Sequence, residues 1–236
     1  DIKRMLQNEA EDYLKRLKTE NFTVLEPINH SSFASIANEA VDEILKEIEL
    51  ASHVPEFAQT PKDVKKDCGG WRYDSVEKDV HILRKDDSSE SVHSFIGRGI
   101  IRASARAVQQ TVSTPPSRFV YDRMLKNIRI VERIADNLSI VHMVHETQRC
   151  LLKTSRDFCF VSMHREKDGK LIIACQSVEH PSCPEMKGIQ RAKILSSGWV
   201  IEPIIANGQP CSLVWYLTQV FLGKSIPSKL VSLVSK

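Results

Sequence analysis

No stretch of this 236-residue sequence approaches the roughly 20 consecutive apolar residues with which a helix crosses a bilayer. No transmembrane helix is therefore expected. The start, Asp1-Ile2-Lys3-Arg4, has no apolar core of the kind that drives secretion. Charge of one sign is also scarce in excess: the formal net charge is +3, too mild to point to nucleic acid. Paired cysteine motifs are missing. The six cysteines lie scattered at Cys68, Cys150, Cys159, Cys175, Cys183 and Cys211. Cys159, Cys175 and Cys211 fall inside apolar alternating runs, where a free thiol behaves as a small core residue. That usage suits a reducing compartment, so an intracellular, cytoplasmic protein is expected. The Asn-x-Ser/Thr sequons at Asn21, Asn29 and Asn137 are then read as chance.

The usual enzyme signatures are absent as well. There is no Gly-x-x-x-x-Gly-Lys-Ser/Thr phosphate loop, no Gly-x-Ser-x-Gly elbow and no His-Glu-x-x-His zinc site. Cys175, His180 and Cys183 lack a fourth ligand. His142 and His145, three apart, oppose one another across a strand. No catalytic residue, metal or cofactor is expected.

What is present is first helical, then strand-like. Residues 1–29 are expected to form a charged, helical N-terminal extension with a weak stripe of Met5, Leu6, Tyr13, Leu14 and Leu17. A clearer helix carries Ile36, Ala37, Ala40, Val41, Ile44, Leu45 and Ile48 at steps of three and four, with Ser31-Ser32 as its cap. From Trp71 the pattern is that of strands: 71–75, 79–84 and 92–101. Two helices follow at 103–112 and 117–125, separated by Pro115-Pro116. The second half reads as hairpins: 128–134 with 138–146, 158–165 with 170–178, 189–195 with 199–205, then 212–221. Short turns force antiparallel pairing, and nothing alternates as strand–helix–strand, so a parallel nucleotide-binding sheet is disfavoured. The segment from Ser225, with Pro227 as a first helical residue and Ile226, Leu230, Val231, Leu233 and Val234 on one side, is expected to begin a truncated amphipathic C-terminal helix.

Four segments together carry a resemblance: Gly70-Trp71; Arg156-Asp157-Phe158; Ser177-Val178-Glu179-His180-Pro181-Ser182-Cys183-Pro184; and Gly198-Trp199-Val200-Ile201-Glu202-Pro203. With Lys187-Gly188-Ile189-Gln190-Arg191-Ala192 between the last two, residues 30–236 resemble the steroidogenic-acute-regulatory-related lipid transfer (START) domain. The resemblance implies an α+β helix-grip fold: a curved antiparallel sheet of about nine strands around a C-terminal helix, with an N-terminal helix. It also implies one lipid held in an apolar tunnel, a sterol, phospholipid or other acyl lipid, and a gate between the fifth and sixth strands.

Met143, His145, Ser162, Met163, Cys175 and Ser177 are the candidate lipid-binding residues. Met143 and Ser162 stand where sterol-binding relatives resemble one another in an acid and an arginine, so that ion pair is missing here. Arg149, Leu151, Leu152 and Lys153, in a loop spanning 148–155, are the candidate gate and membrane contact. Arg156-Asp157 is expected to fix a loop-to-strand junction by charge-assisted hydrogen bonds. The function expected is intracellular lipid binding and transfer, with transient contact to a membrane surface. The alternative is a lipid-sensing module of a larger polypeptide.

Overall fold

The computed structural model describes residues 29–55, 67–86, 92–149 and 152–222. By backbone contact the chain divides into Asp1–His30 and Ser31–Lys236. Every strand and nearly all of the first helix belong to the second unit. That helix, α1 (His30–Ser52), buries Ala37, Ala40, Val41, Ile44 and Ile48 of the expected stripe, together with Phe33 and Ala51, whereas Ile36 and Leu45 are half-buried. It starts at His30, so Ser31 and Ser32 lie in its first turn and are not its cap.

Eleven strands follow: β1 (Trp71–Glu77), β2 (Val80–Asp86), β3 (Val92–Ile101), β4 (Leu125–Ala135), β5 (Leu138–Arg149), β6 (Leu152–Lys167), β7 (Lys170–Ser177), β8 (Gln190–Arg191), β9 (Lys193–Ile194), β10 (Ser197–Ala206) and β11 (Gln209–Phe221). Nine make one continuous path, β1-β2-β3-β11-β10-β7-β6-β5-β4, and every neighbouring pair along it is antiparallel. Three of its hairpins close in two residues with positive φ: Lys78-Asp79, Asp168-Gly169 and Asn207-Gly208. That geometry matches the right-handed twist of paired strands, so the ladders run up to each turn. The strands accordingly extend into the gaps left between the expected runs 158–165 and 170–178, and 199–205 and 212–221.

Two expectations fail here for physical reasons. Residues 189–195 do not form a hairpin with 199–205. Instead β8 pairs in parallel with β6, and β9 pairs with β11. The segment thus runs past the ends of β7 and β10 and stitches together strands that they separate. Alternation marks these residues as extended but does not name their partner. Likewise Pro115-Pro116 does not separate two helices. After α2 (Ala105–Ser113) the prolines open α3 (Pro115–Tyr121), where a missing backbone N–H costs nothing. The helix ends at Tyr121, because the Asp122 carboxylate accepts from Met124 N at 3.2 Å and β4 begins at Leu125.

The two faces of the sheet have different fates. Arg165 and Lys167 of β6 reach Asn38 and Asp42 of α1, while Trp71 of β1 and Lys85 of β2 meet α1 at Glu47. The buried Glu47 carboxylate takes the Trp71 indole N–H at 2.6 Å and the Lys85 ammonium at 2.9 and 3.0 Å. A buried carboxylate persists only when paired in this way. Helix α1 therefore covers the outer face from one end of the strand order towards the other, and the opposite face is left to bound a cavity.

Gly198 marks the tightest approach in the sheet. A Cβ there would lie 1.9 Å from the Ile173 carbonyl oxygen of β7 and 3.1 Å from Ala174 Cα. Backbone cannot yield as a side chain can. Gly198→Ala should destabilise the domain by about 3 kcal/mol or more, at the upper end of overpacking costs. Gly169→Ala, in an open turn with nothing within 4 Å, should cost about 1 kcal/mol from its left-handed backbone alone. Urea denaturation of the two variants checks the difference.

Candidate functional site

The inner face bounds a cavity of about 1430 Å³, larger than the roughly 300–1,000 Å³ of ordinary small-molecule pockets. Its apolar wall comes from alternate residues: Val141 and Met143 of β5, Phe158 and Phe160 of β6, Ile173 of β7 and Val220 of β11. Leu125, Val141, Met143, Phe158, Phe160, Ala192 and Ile194 form one packed cluster along that wall. Residues of opposite parity, such as Ile140, Val161 and Ile172, are fully buried away from the cavity.

Four predicted residues line this space: Met143, His145, Ser162 and Cys175. The Cys175 thiol sits 3.7 Å from the Ser162 hydroxyl, a small polar spot on the apolar floor. Two predicted residues do not line it. Met163 has the parity of the outer face, between Leu138 and Ala174 in the register, and is buried there. Ser177 has the inner parity, but its hydroxyl accepts from Ile194 N at 2.8 Å, tying down β9 instead.

The predicted gate is not a loop over most of its length. Thr147 pairs with Thr154, Gln148 with Lys153 and Arg149 with Leu152, so β5 and β6 run almost to their connection. The backbones of Arg149, Leu152 and Lys153 are thus strand, and Leu151 lies outside the described residues. The expected C-terminal helix after Pro227 lies outside them too.

Arg156-Asp157 lies inside β6 and not at a loop-to-strand junction, although charge-assisted hydrogen bonds do form at Asp157. Asp157, with no exposed surface, accepts from Arg191 at 3.0 and 2.8 Å and from His142 Nε2 at 2.9 Å. Arg191 also donates to the carbonyls of Cys183 and Pro184, at 3.2 and 3.1 Å. Burial pushes the Asp157 carboxyl up, yet the hydrogen bonds from Arg191 and His142 outweigh it and hold it below its usual value. Arg156 instead faces the cavity and donates to the Leu222 carbonyl at 3.2 Å.

A polar cluster that sequence reasoning missed hangs over the apolar wall. Arg118 and Asp122, one helical turn apart, pair at 3.2 Å, and Asp122 accepts from His145 Nε2 at 3.1 Å. Their side chains are 21%, 12% and 17% exposed. The His145 ring meets Phe158 edge-on at 5.4 Å. Tyr216 stacks on Trp199 at 4.2 Å, and Tyr121 meets Trp199 edge-on at 6.5 Å. Arg118, Tyr121, Asp122, His145, Trp199 and Tyr216 all line the cavity. Burial pushes the Tyr216 phenol and the Cys175 thiol up, so both stay protonated. Burial also lowers His93 and His164 on the same wall, aided at His164 by Arg133, which keeps those rings neutral near pH 7. The signal for the pair was an Arg and an Asp four apart in a predicted helical segment.

Comparison with known proteins fits this geometry. The family model for the START domain matches residues 56–236. The chain belongs to the START domain family. Human StAR-related lipid transfer protein 9 is 33% identical over 165 residues, which cover 69% of this START chain and 4% of that relative. The mouse protein of the same name is 34% identical, with 65% of this chain and 3% of that relative covered. The chain thus spans a few per cent of the length of these relatives. Bovine StAR-related lipid transfer protein 5 is 23% identical, over 78% of this chain and 88% of that one. Among solved structures, human StAR-related lipid transfer protein 5 superposes with a TM-score of 0.69 at 19% identity, covering 86% of this chain and 88% of that one. Human STARD10 follows at 0.61 and 19%, covering 77% and 74%. Among the described residues no helix is long and apolar enough to cross a membrane.

The Asp122 environment makes a testable statement. Burial alone would raise this carboxyl, but the hydrogen bond and charge of His145 and the Arg118 guanidinium bring it down to about 2. A carboxyl lowered on folding stabilises the domain fully above its unfolded value, and that contribution fades as pH falls towards the folded one. Asp122→Asn should lower stability by about 2 kcal/mol at neutral pH and flatten the acid limb between roughly pH 4 and 2. Denaturant titrations across that range read both effects.

Proposed function

We propose that this START domain binds a single lipid in the cavity and carries it between membranes. The observation that supports this most is the pairing of a large apolar wall with one self-contained polar cluster. In such a space the acyl or ring portion lies against Met143, Phe158, Phe160 and Ile173. The lipid's polar group then meets Arg118, Asp122 and His145, which already hold one another. Affinity comes mainly from apolar burial, about 0.8 kcal/mol per methylene. Orientation comes from the few polar contacts. No step in this requires bond-making, and the matched relatives are lipid transfer proteins by name. The cargo is a lipid whose polar group exchanges hydrogen bonds with a guanidinium and an imidazole, a description that a sterol hydroxyl and a phosphoester both meet. Arg149, Leu151, Leu152 and Lys153 remain our candidate gate.

Ser162→Phe tests this without attacking the fold. The new ring projects into open cavity beside Cys175, so thermal stability should stay close to that of the parent. Native mass spectrometry should then show lipid occupancy falling at least tenfold, and vesicle-to-vesicle exchange should fall with it. Unchanged occupancy in a folded Ser162→Phe protein would overturn the reading.

A further inference from the structure

Helix α3 turns its polar side inward and its apolar side outward, the reverse of an ordinary surface helix. Arg118 and Tyr121 line the cavity, whereas Phe119 is 50% and Val120 86% exposed. Single exposed apolar residues need no explanation, but a contiguous group does. Here Phe119, Val120 and the partly exposed Tyr121 are consecutive, and Ile130 on the adjoining strand β4 is 42% exposed and also borders the cavity. Along the chain here the charge is mainly of one sign, although Glu146 of β5 sits beside Met124. Between residues 115 and 131 the only carboxylate is Asp122, and it is already held by Arg118 and His145. Arg123 and Lys126, directly after the helix, are exposed. Among the acids nearby on β4, Glu132 is held by His180 at 2.8 Å.

Apolar side chains ringed by cations are complementary to an anionic bilayer, whose acyl boundary takes the first and whose phosphates take the second. We propose that α3 is a membrane-docking wedge: Phe119 and Val120 enter the acyl boundary while Arg123 and Lys126 meet phosphates. The same short helix that holds Arg118 against the cargo would then touch the membrane, so docking and the polar end of the cavity share one element. The wedge rests on lipid exchange for its purpose, though not for its chemistry.

The test is sedimentation of the whole chain with vesicles of phosphatidylcholine alone and of phosphatidylcholine mixed with phosphatidylserine. The parent should sediment with the mixed vesicles, and less so as salt is raised. Phe119→Ser combined with Val120→Ser should weaken this at least tenfold. Arg123→Glu with Lys126→Glu should remove the preference for phosphatidylserine. Uptake of lipid presented as a cyclodextrin complex, read by native mass spectrometry, should be unchanged in the Phe119/Val120 variant. A parent that takes up no lipid counts against the exchange reading, whereas sedimentation alone decides docking. The wedge is overturned if the Phe119/Val120 variant sediments as the parent does. It is equally overturned if the parent ignores both vesicle types, whether a second copy or residues 223–236 cover the helix. Light scattering that falls from dimer to monomer on substitution would identify the second copy.

Discussion

A carboxylate with no solvent around it must be neutralised where it stands, and Asp157 is neutralised by Arg191 and His142. That requirement organises one end of the sheet. Arg191 can reach Asp157 only if residues 190–191 lie along β6, and Ala192 N then donates to the Asp157 carbonyl. Two residues later, Lys193 and Ile194 are on β11. A single charge pair therefore fastens a strap from β6 across the ends of β7 and β10 to β11. The remaining donors of Arg191 hold the carbonyls of Cys183 and Pro184, so the long 178–189 connection is pinned by the same side chain. Removing either partner would leave a buried charge unpaired, and such losses cost about 3–5 kcal/mol.

With the strap in place, the two faces can specialise. The outer face is closed by α1 through apolar packing and through Glu47, whose carboxylate joins β1 and β2 to the helix. The inner face keeps its apolar residues against an open cavity. Strand periodicity allows this, since alternate side chains of one β-strand meet two unrelated environments. Gly198 belongs to the same economy of space: β10 comes so close to β7 that only a hydrogen fits.

The sequence shows the alternation plainly, and with it the strands, the main hairpins and the buried stripe of α1. It does not show which parity faces inward, because both faces of β5 and β6 carry apolar residues. Met163, expected at the cavity, lies on the other face. Ser177 has the correct parity but is engaged by a backbone N–H from a strap invisible to periodicity. The 189–195 run is extended, yet its partners β6 and β11 are fixed by the Asp157–Arg191 pair, a contact between distant residues. Periodicity does not single out Arg118 and Asp122, and the sheet positions Met143 and Ser162 carry no charge. The ion pair bordering this cavity comes from a helix beside the sheet.

That placement bears on release as much as on binding. A carrier must give up its cargo, so its polar site cannot depend on the cargo for neutrality. Arg118 and Asp122 neutralise one another, His145 shares the same carboxylate oxygen and Met124 N holds the other, with no ligand required. A polar group entering the cavity, on the proposed reading, exchanges one set of hydrogen bonds for another of similar strength, and the net gain from each exchange is modest. Apolar burial then supplies most of the affinity, and a bilayer offers the same burial to the departing lipid. An unpaired arginine at this position would hold an anionic group strongly in a low-dielectric site and slow its escape. On the proposed reading, a self-satisfied pair orients the cargo without trapping it.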